Sequence, residues 1–147
     1  MLSPETLFSL ASTAVLPGWL LLLLAPRWRP TARLVCAALI PGLLAVLYVA
    51  LIAARWGGAE GGFSSLADVR KLFADPWLLL AGWVHYLAFD LFVGAWEVRD
   101  AGRFGIPHLL VAPCLVLTFL FGPVGLLLYG VIRAVRTRGV VIDERAS

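Results

Sequence analysis

Residues 76–98 read PWLLLAGWVHYLAFDLFVGAWEV. About 20 predominantly apolar residues cross a hydrocarbon core about 30 Å thick, so this stretch is long enough to span a bilayer as one helix. It also carries His85, Asp90 and Glu97 and no lysine or arginine. Asp75-Pro76 in front is a helix start: a carboxylate that can cap free N–H groups, then proline at the first helical position. An ionisable side chain inside a span is costly to keep, which makes this segment the first place to look for function.

Three more spans are drawn outward from it. The first covers about 4–25, with Ser3 as N-cap and Pro4 at the first helical position. Glu5 precedes its apolar run and Arg27 and Arg29 follow, the reverse of a signal peptide's charge order, so the helix is expected to be retained. The second covers about 31–54. The fourth covers about 107–132 as one long helix kinked at Gly122-Pro123; Pro17, Pro41, Pro113 and Pro123 all fall within spans, where neighbours repair the lost bonds. Between spans two and three, Leu66, Val69, Leu72 and Phe73 share one face opposite Arg70 and Lys71, and Ser65 with Asp68 forms a cap. Residues 64–74 therefore read as a short amphipathic helix in the membrane interface. The expected fold is all-α: an integral membrane four-helix bundle over residues 1–135, with this interfacial helix and a polar tail over 136–147.

Composition agrees with the bilayer as solvent. Of 147 residues, 61% are hydrophobic and 14% charged, with a mean hydropathy of +0.92; an average soluble domain is nearer half apolar and a quarter charged. Of the 12 basic residues all but Lys71 are arginines, grouped between apolar runs rather than spread over a face with interleaved aromatics. That distribution suits lipid headgroups, not nucleic acid. The location expected is a bacterial inner membrane, crossed several times. Arg27, Arg29, Arg33, Arg99 and Arg103 flank one side of the four-span layout. Arg55, Arg70, Lys71, Arg133, Arg136, Arg138 and Arg145 flank the other, and this leans toward both termini being cytoplasmic. Cys36 and Cys114 fit no metal spacing and are expected as buried thiols.

Within residues 76–98, Asp90 and Glu97 lie within about 20° on one helical stripe, and His85 lies about 140° around from Asp90. His85 and Asp90 are near mid-span. Glu97, Asp100 and His108 are expected together at one surface with the first loop's arginines, forming a charged vestibule. Interfacial salt bridging is the plainer account of that vestibule, and a paired structural carboxylate is the plainer account of Asp90. Proton transfer is the functional account. His85 is a core histidine, an acid–base group, or a metal or haem ligand, although no third ligand has diagnostic spacing. The six tryptophans fall mainly at span ends as an interfacial belt; Trp83 and Tyr86, with Phe89 and Phe92, could also line a pocket for a flat or polyene ligand. Ser12 and Thr13 are expected to bond back to helix carbonyls. Nucleotide, zincin, dithiol and Ser-His-Asp motifs are absent.

The stretch Gly82-Trp83-Val84-His85-Tyr86-Leu87-Ala88-Phe89-Asp90-Leu91-Phe92 resembles the abscisic-acid-deficient-four-like family of small integral membrane proteins. Phe8-Ser9-Leu10-Ala11, Phe63-Ser64-Ser65-Leu66, Pro107-His108 and Gly122-Pro123-Val124-Gly125 extend the resemblance over about 5–135. His85, Asp90, Asp100 and His108 fall on family motif positions. Plant members are plastid proteins required to make neoxanthin, an allenic carotenoid, from the epoxide violaxanthin. The resemblance thus implies an apolar polyene or isoprenoid ligand and an acid–base isomerisation that needs no redox cofactor. Asp90 would be the acid and His85 the base, given a kink that brings them together. A non-catalytic membrane scaffold is the alternative, and a haem or metal protein a weaker one.

Overall fold

A computed structural model describes residues 3–26, 28 and 31–139. Among these the chain is all-helical: six α-helices and no strand, with α1 at Pro4–Leu24, α2 at Ile40–Arg55, α3 at Leu66–Leu72, α4 at Pro76–Arg103, α5 at His108–Phe121 and α6 at Pro123–Thr137. Three helices are long and apolar enough to cross a membrane: Pro4–Leu24, Ala32–Gly58 and Pro76–Arg103.

Each of the first and third spans starts as its local chemistry dictates. Ser3 Oγ accepts the Thr6 N–H at 3.2 Å ahead of Pro4, and Asp75 Oδ1 accepts the Trp77 and Leu78 N–H groups at 2.7 and 3.2 Å ahead of Pro76. The second span opens as a π-helical stretch, Thr31–Leu39, which passes into α2 at Pro41. Proline lacks an N–H and crowds the carbonyl four residues back, and a widened turn removes both difficulties. Ser65 caps α3, accepting the Asp68 N–H at 3.1 Å and donating to Asp68 Oδ2 at 2.8 Å.

α4 is the most buried of the three long helices and the one around which the others pack. α1 runs alongside it in the same direction: Phe8 stacks near Trp83 at 5.2 Å, and Leu23 meets His108 just beyond the α4 C-terminus. α2 runs the opposite way, with Arg55 over the Trp77 ring at 4.7 Å and Ala32 bonded to Arg99. Trp19, Leu22, Val84, Leu91, Ala95 and Leu115 are core side chains.

The expected fourth span differs most. Residues 107–132 are not one kinked helix but the larger part of a helical hairpin, α5 then α6, turning at Gly122. That residue has φ +46°, a backbone conformation that L side chains rarely adopt, and Pro123 opens a new helix instead of bending an old one. The arms then press together: a Cβ on Gly125 would meet the Thr118 backbone and the Cys114 carbonyl oxygen in α5. Only glycine permits that approach. The hairpin tip reaches Asp90, midway along α4, while Tyr129 and Arg133 of α6 return to Asp100 near the α4 C-terminus. Arg133 therefore lies at the same end of the bundle as Ala32, Arg99 and Arg103, not at the opposite end. We call this the arginine end. Arg27, Arg29, Arg145 and most of the 136–147 tail lie outside the described residues.

Candidate functional site

α4 presents polar groups on two opposed faces. One face, toward α5 and α6, carries Tyr86, Asp90 and Glu97. Glu97 is fully buried (0% exposed); its Oε1 accepts the Thr118 hydroxyl at 3.0 Å, and its Oε2 is buried without a hydrogen-bond partner among the described residues. Asp90 sits under the hairpin tip, where a Cβ on Gly122 would come within 2.9 Å of Oδ1; its Oδ2 is likewise buried and unpartnered. Tyr86, one turn earlier, is close enough to interact with the Asp90 carboxylate and donates to the Phe119 carbonyl at 3.0 Å. The pair retains two oxygens that can accept a further hydrogen bond or carry a proton.

Further along, Asp100 is 3% exposed. Its Oδ2 accepts the Tyr129 hydroxyl and Arg133 Nε, each at 2.7 Å. The Arg133 guanidinium also covers the Phe104 ring at 4.7 Å. This is a buried, charge-balanced joint between α4 and α6.

The expected vestibule takes a different form. Glu97 and Asp100 are enclosed by the hairpin, because α6 folds back over them. His108 does not join them: its Nε2 lies 2.9 Å from the Leu23 carbonyl oxygen, which can only accept, so this nitrogen carries the proton. His108 fastens the start of α5 to the end of α1.

His85 lies on the other face of α4, toward Tyr48 of α2, whereas Asp90 lies beside Gly122 at the hairpin tip. Its imidazole stacks on Phe89, centroids 4.4 Å apart, and faces Tyr48 of α2 at 5.9 Å. A recess lies on either side of this stack. One, about 360 Å3, runs between α2 and α4 past Ala38, Gly42, Ala45, Phe89 and Phe92. The other, about 290 Å3, is lined by His85 with Tyr48, Trp56, Phe63 and Phe73. The first is a groove on the outer surface of the bundle, where Phe89 and Phe92 are exposed. Trp83 belongs to neither: its Nε1 donates to Ser12 Oγ at 2.9 Å, joining α4 to α1.

Among the described residues no group of three or more His, Cys, Asp or Glu side chains could hold a metal ion. Cys36 and Cys114 are buried free thiols bonded to the Gly18 and Leu110 carbonyls. Thr118 and Tyr129 are not candidates in the sequence, and Arg133 figures there only as a flanking charge. Tyr129 and Arg133, four apart and thus on one helical face, were the available signal.

The family model described as ABA DEFICIENT 4-like matches residues 6–129. "Protein ABA DEFICIENT 4, chloroplastic", from Arabidopsis thaliana, is 30% identical over 141 residues, 89% of this chain. The chain spans 62% of that relative's length. No solved structure matches.

Proposed function

The chain belongs to the ABA DEFICIENT 4-like family, and on that footing we propose that it is a multi-pass cell-membrane protein that binds an isoprenoid-derived lipid of the carotenoid class. The groove between α2 and α4 is the binding site in this reading, and His85 is the group that meets the ligand. The observation that supports it is the seating of His85 between Tyr48 and Phe89, with Phe89 lining the groove and His85 lining the neighbouring aromatic recess. Ligand sites are mostly apolar with a few placed polar groups, and an aromatic-walled groove open to hydrocarbon suits a polyene.

The acid–base isomerisation implied by the resemblance takes a proton to an epoxide oxygen and removes one from a neighbouring carbon. The reaction is redox-neutral and returns as many protons as it uses. His85 can give a proton as imidazolium and take one as imidazole. Asp90 faces the hairpin tip instead, so its part in this reading is to hold a polar site within the bundle rather than to share a ligand with His85. The joint made by Asp100, Tyr129 and Arg133 favours a second reading, a scaffold whose polar residues only join helices.

The experiment is purification in detergent followed by lipid extraction and mass spectrometry. Gly42→Leu is the blocking variant, since nothing lies within 4 Å of a Cβ at Gly42 and the added side chain fills the groove without displacing backbone. A co-purified isoprenoid is expected, lost in Gly42→Leu and retained but unconverted in His85→Gln. Protein free of isoprenoid, together with an unchanged pigment profile in a strain lacking it, would leave the scaffold reading.

A further inference from the structure

The face of α4 that meets the hairpin carries a line of acids and hydroxyls that the groove does not use. Asp90, Glu97 and Asp100 stay within about 80° of one another and span about 15 Å along the helix. Each meets a hydroxyl. Tyr86 lies beside Asp90, Thr118 of α5 donates to Glu97 at 3.0 Å, and Tyr129 of α6 donates to Asp100 at 2.7 Å. Successive members are near enough for their charges to act on one another, Asp90 on Glu97 and Glu97 on Tyr129. The line starts under the hairpin tip and ends at Asp100, which lines a cavity of about 530 Å3 at the arginine end.

Among the described residues the ion pair on this line is Arg133 with Asp100. Glu97 is wholly buried, takes one hydroxyl donor on Oε1 and keeps Oε2 without a partner there, as Asp90 keeps Oδ2. Cys114 of α5, a further titratable group near Glu97, is bonded to the Leu110 carbonyl and brings no positive charge. A carboxylate anion buried among apolar neighbours is expensive, and two on one stripe also repel. A proton removes both penalties. We propose that Asp90 and Glu97 form an intramembrane proton-binding site, which holds a proton between α4 and the hairpin and exchanges it with the arginine end past Tyr129 and Asp100. Uptake makes one O–H bond on a carboxylate oxygen, release breaks it, and no other bond changes. The Thr118 and Tyr129 hydroxyls both donate and accept, which suits them to pass a proton along. The site lies on a different face of α4 from His85 and does not depend on the groove reading.

The test is infrared spectroscopy of the intact protein in detergent at about pH 7, where a carboxyl group in water is ionised. The C=O band of a protonated carboxyl is expected, shifting on transfer to heavy water. It should weaken in Glu97→Gln, vanish in the double variant Asp90→Asn/Glu97→Gln and stay unchanged in His85→Gln. Glutamine copies the shape of the neutral acid and still accepts from Thr118, so Glu97→Gln is expected to unfold no earlier than the unsubstituted protein. Tyr129→Phe should keep the band and slow its exchange into heavy water. Absence of the band from the unsubstituted protein overturns the proposal, and so does a band that survives the double variant. Early unfolding of Glu97→Gln also overturns it, since that marks Glu97 as a structural anion. Exchange as fast in Tyr129→Phe as in the unsubstituted protein overturns the route past Tyr129. None of these outcomes touches the co-purified lipid, so the groove reading stands or falls separately.

Discussion

Asp100 accepts two charge-assisted or hydroxyl hydrogen bonds through one oxygen, with almost no exposure to solvent. Removing one partner of a buried pair leaves the other charge uncompensated, which costs about 3–5 kcal/mol. Arg133→Ala should lower stability by that order in thermal unfolding in detergent. Tyr129→Phe should cost about 1–3 kcal/mol, since it deletes a hydrogen bond and little packing. If Arg133→Ala unfolds no earlier than Arg136→Ala, the joint is not structural. Glu97 and Thr118 form a smaller version of the same device, and Thr118→Val should destabilise by about 1–3 kcal/mol by leaving both Glu97 oxygens without a donor among these residues. These residues were half legible in the sequence. A lone carboxylate in an apolar run declares that it needs a partner, but nothing near it in the chain says which one, because Thr118 meets α4 only after the chain has turned once and Arg133 only after it has turned twice.

At the level of elements, the helix starts were readable because caps and prolines act within one turn: Ser3-Pro4, Ser65 and Asp75-Pro76 each sit at the head of a helix. Residues 107–132 show where that locality ends. Gly122-Pro123 could bend a long helix or separate two, and both are compatible with the apolar run. The choice rests on Gly125, whose missing Cβ lets the α6 backbone touch α5, and on a polar contact for Arg133 that a straight helix would carry to the opposite end. Gly122→Ala should therefore destabilise by at least about 1–2 kcal/mol from the positive φ, with an added clash against Asp90. Gly130→Ala, with open space around its Cβ, should be neutral or stabilising by up to about 1 kcal/mol. Comparing the two midpoints checks this; equal shifts would mean that the tip is not held as described.

For the whole molecule, the hairpin changes the charge ledger between the two ends. Arg133, Arg136 and Arg138 join Arg33, Arg99 and Arg103 at the arginine end, leaving Arg55, Arg70 and Lys71 at the other. With six basic residues against three among those described, the positive-inside rule predicts a cytoplasmic arginine end and α6 terminus, with the start of α1 on the far side. This expectation differs from the near-balanced count and both-termini-inside orientation that follow when α5 and α6 are taken as one crossing. Reporter fusions after Thr137 and before Ser3 should give opposite compartments; matching compartments would return the fourth crossing. The apolar composition, the three long helices and the concentration of ionisable groups on α4 were all determined by sequence alone, since hydrophobic burial and helical periodicity are properties of the chain and its solvent. Tertiary structure alone decided that α5 and α6 fold back, that Asp90 and His85 face different neighbours, and that Asp100 pairs with Arg133. Those outcomes depend on the close approach of backbones at a few glycines and on which buried charge finds which partner, and neither is written in any local stretch of residues.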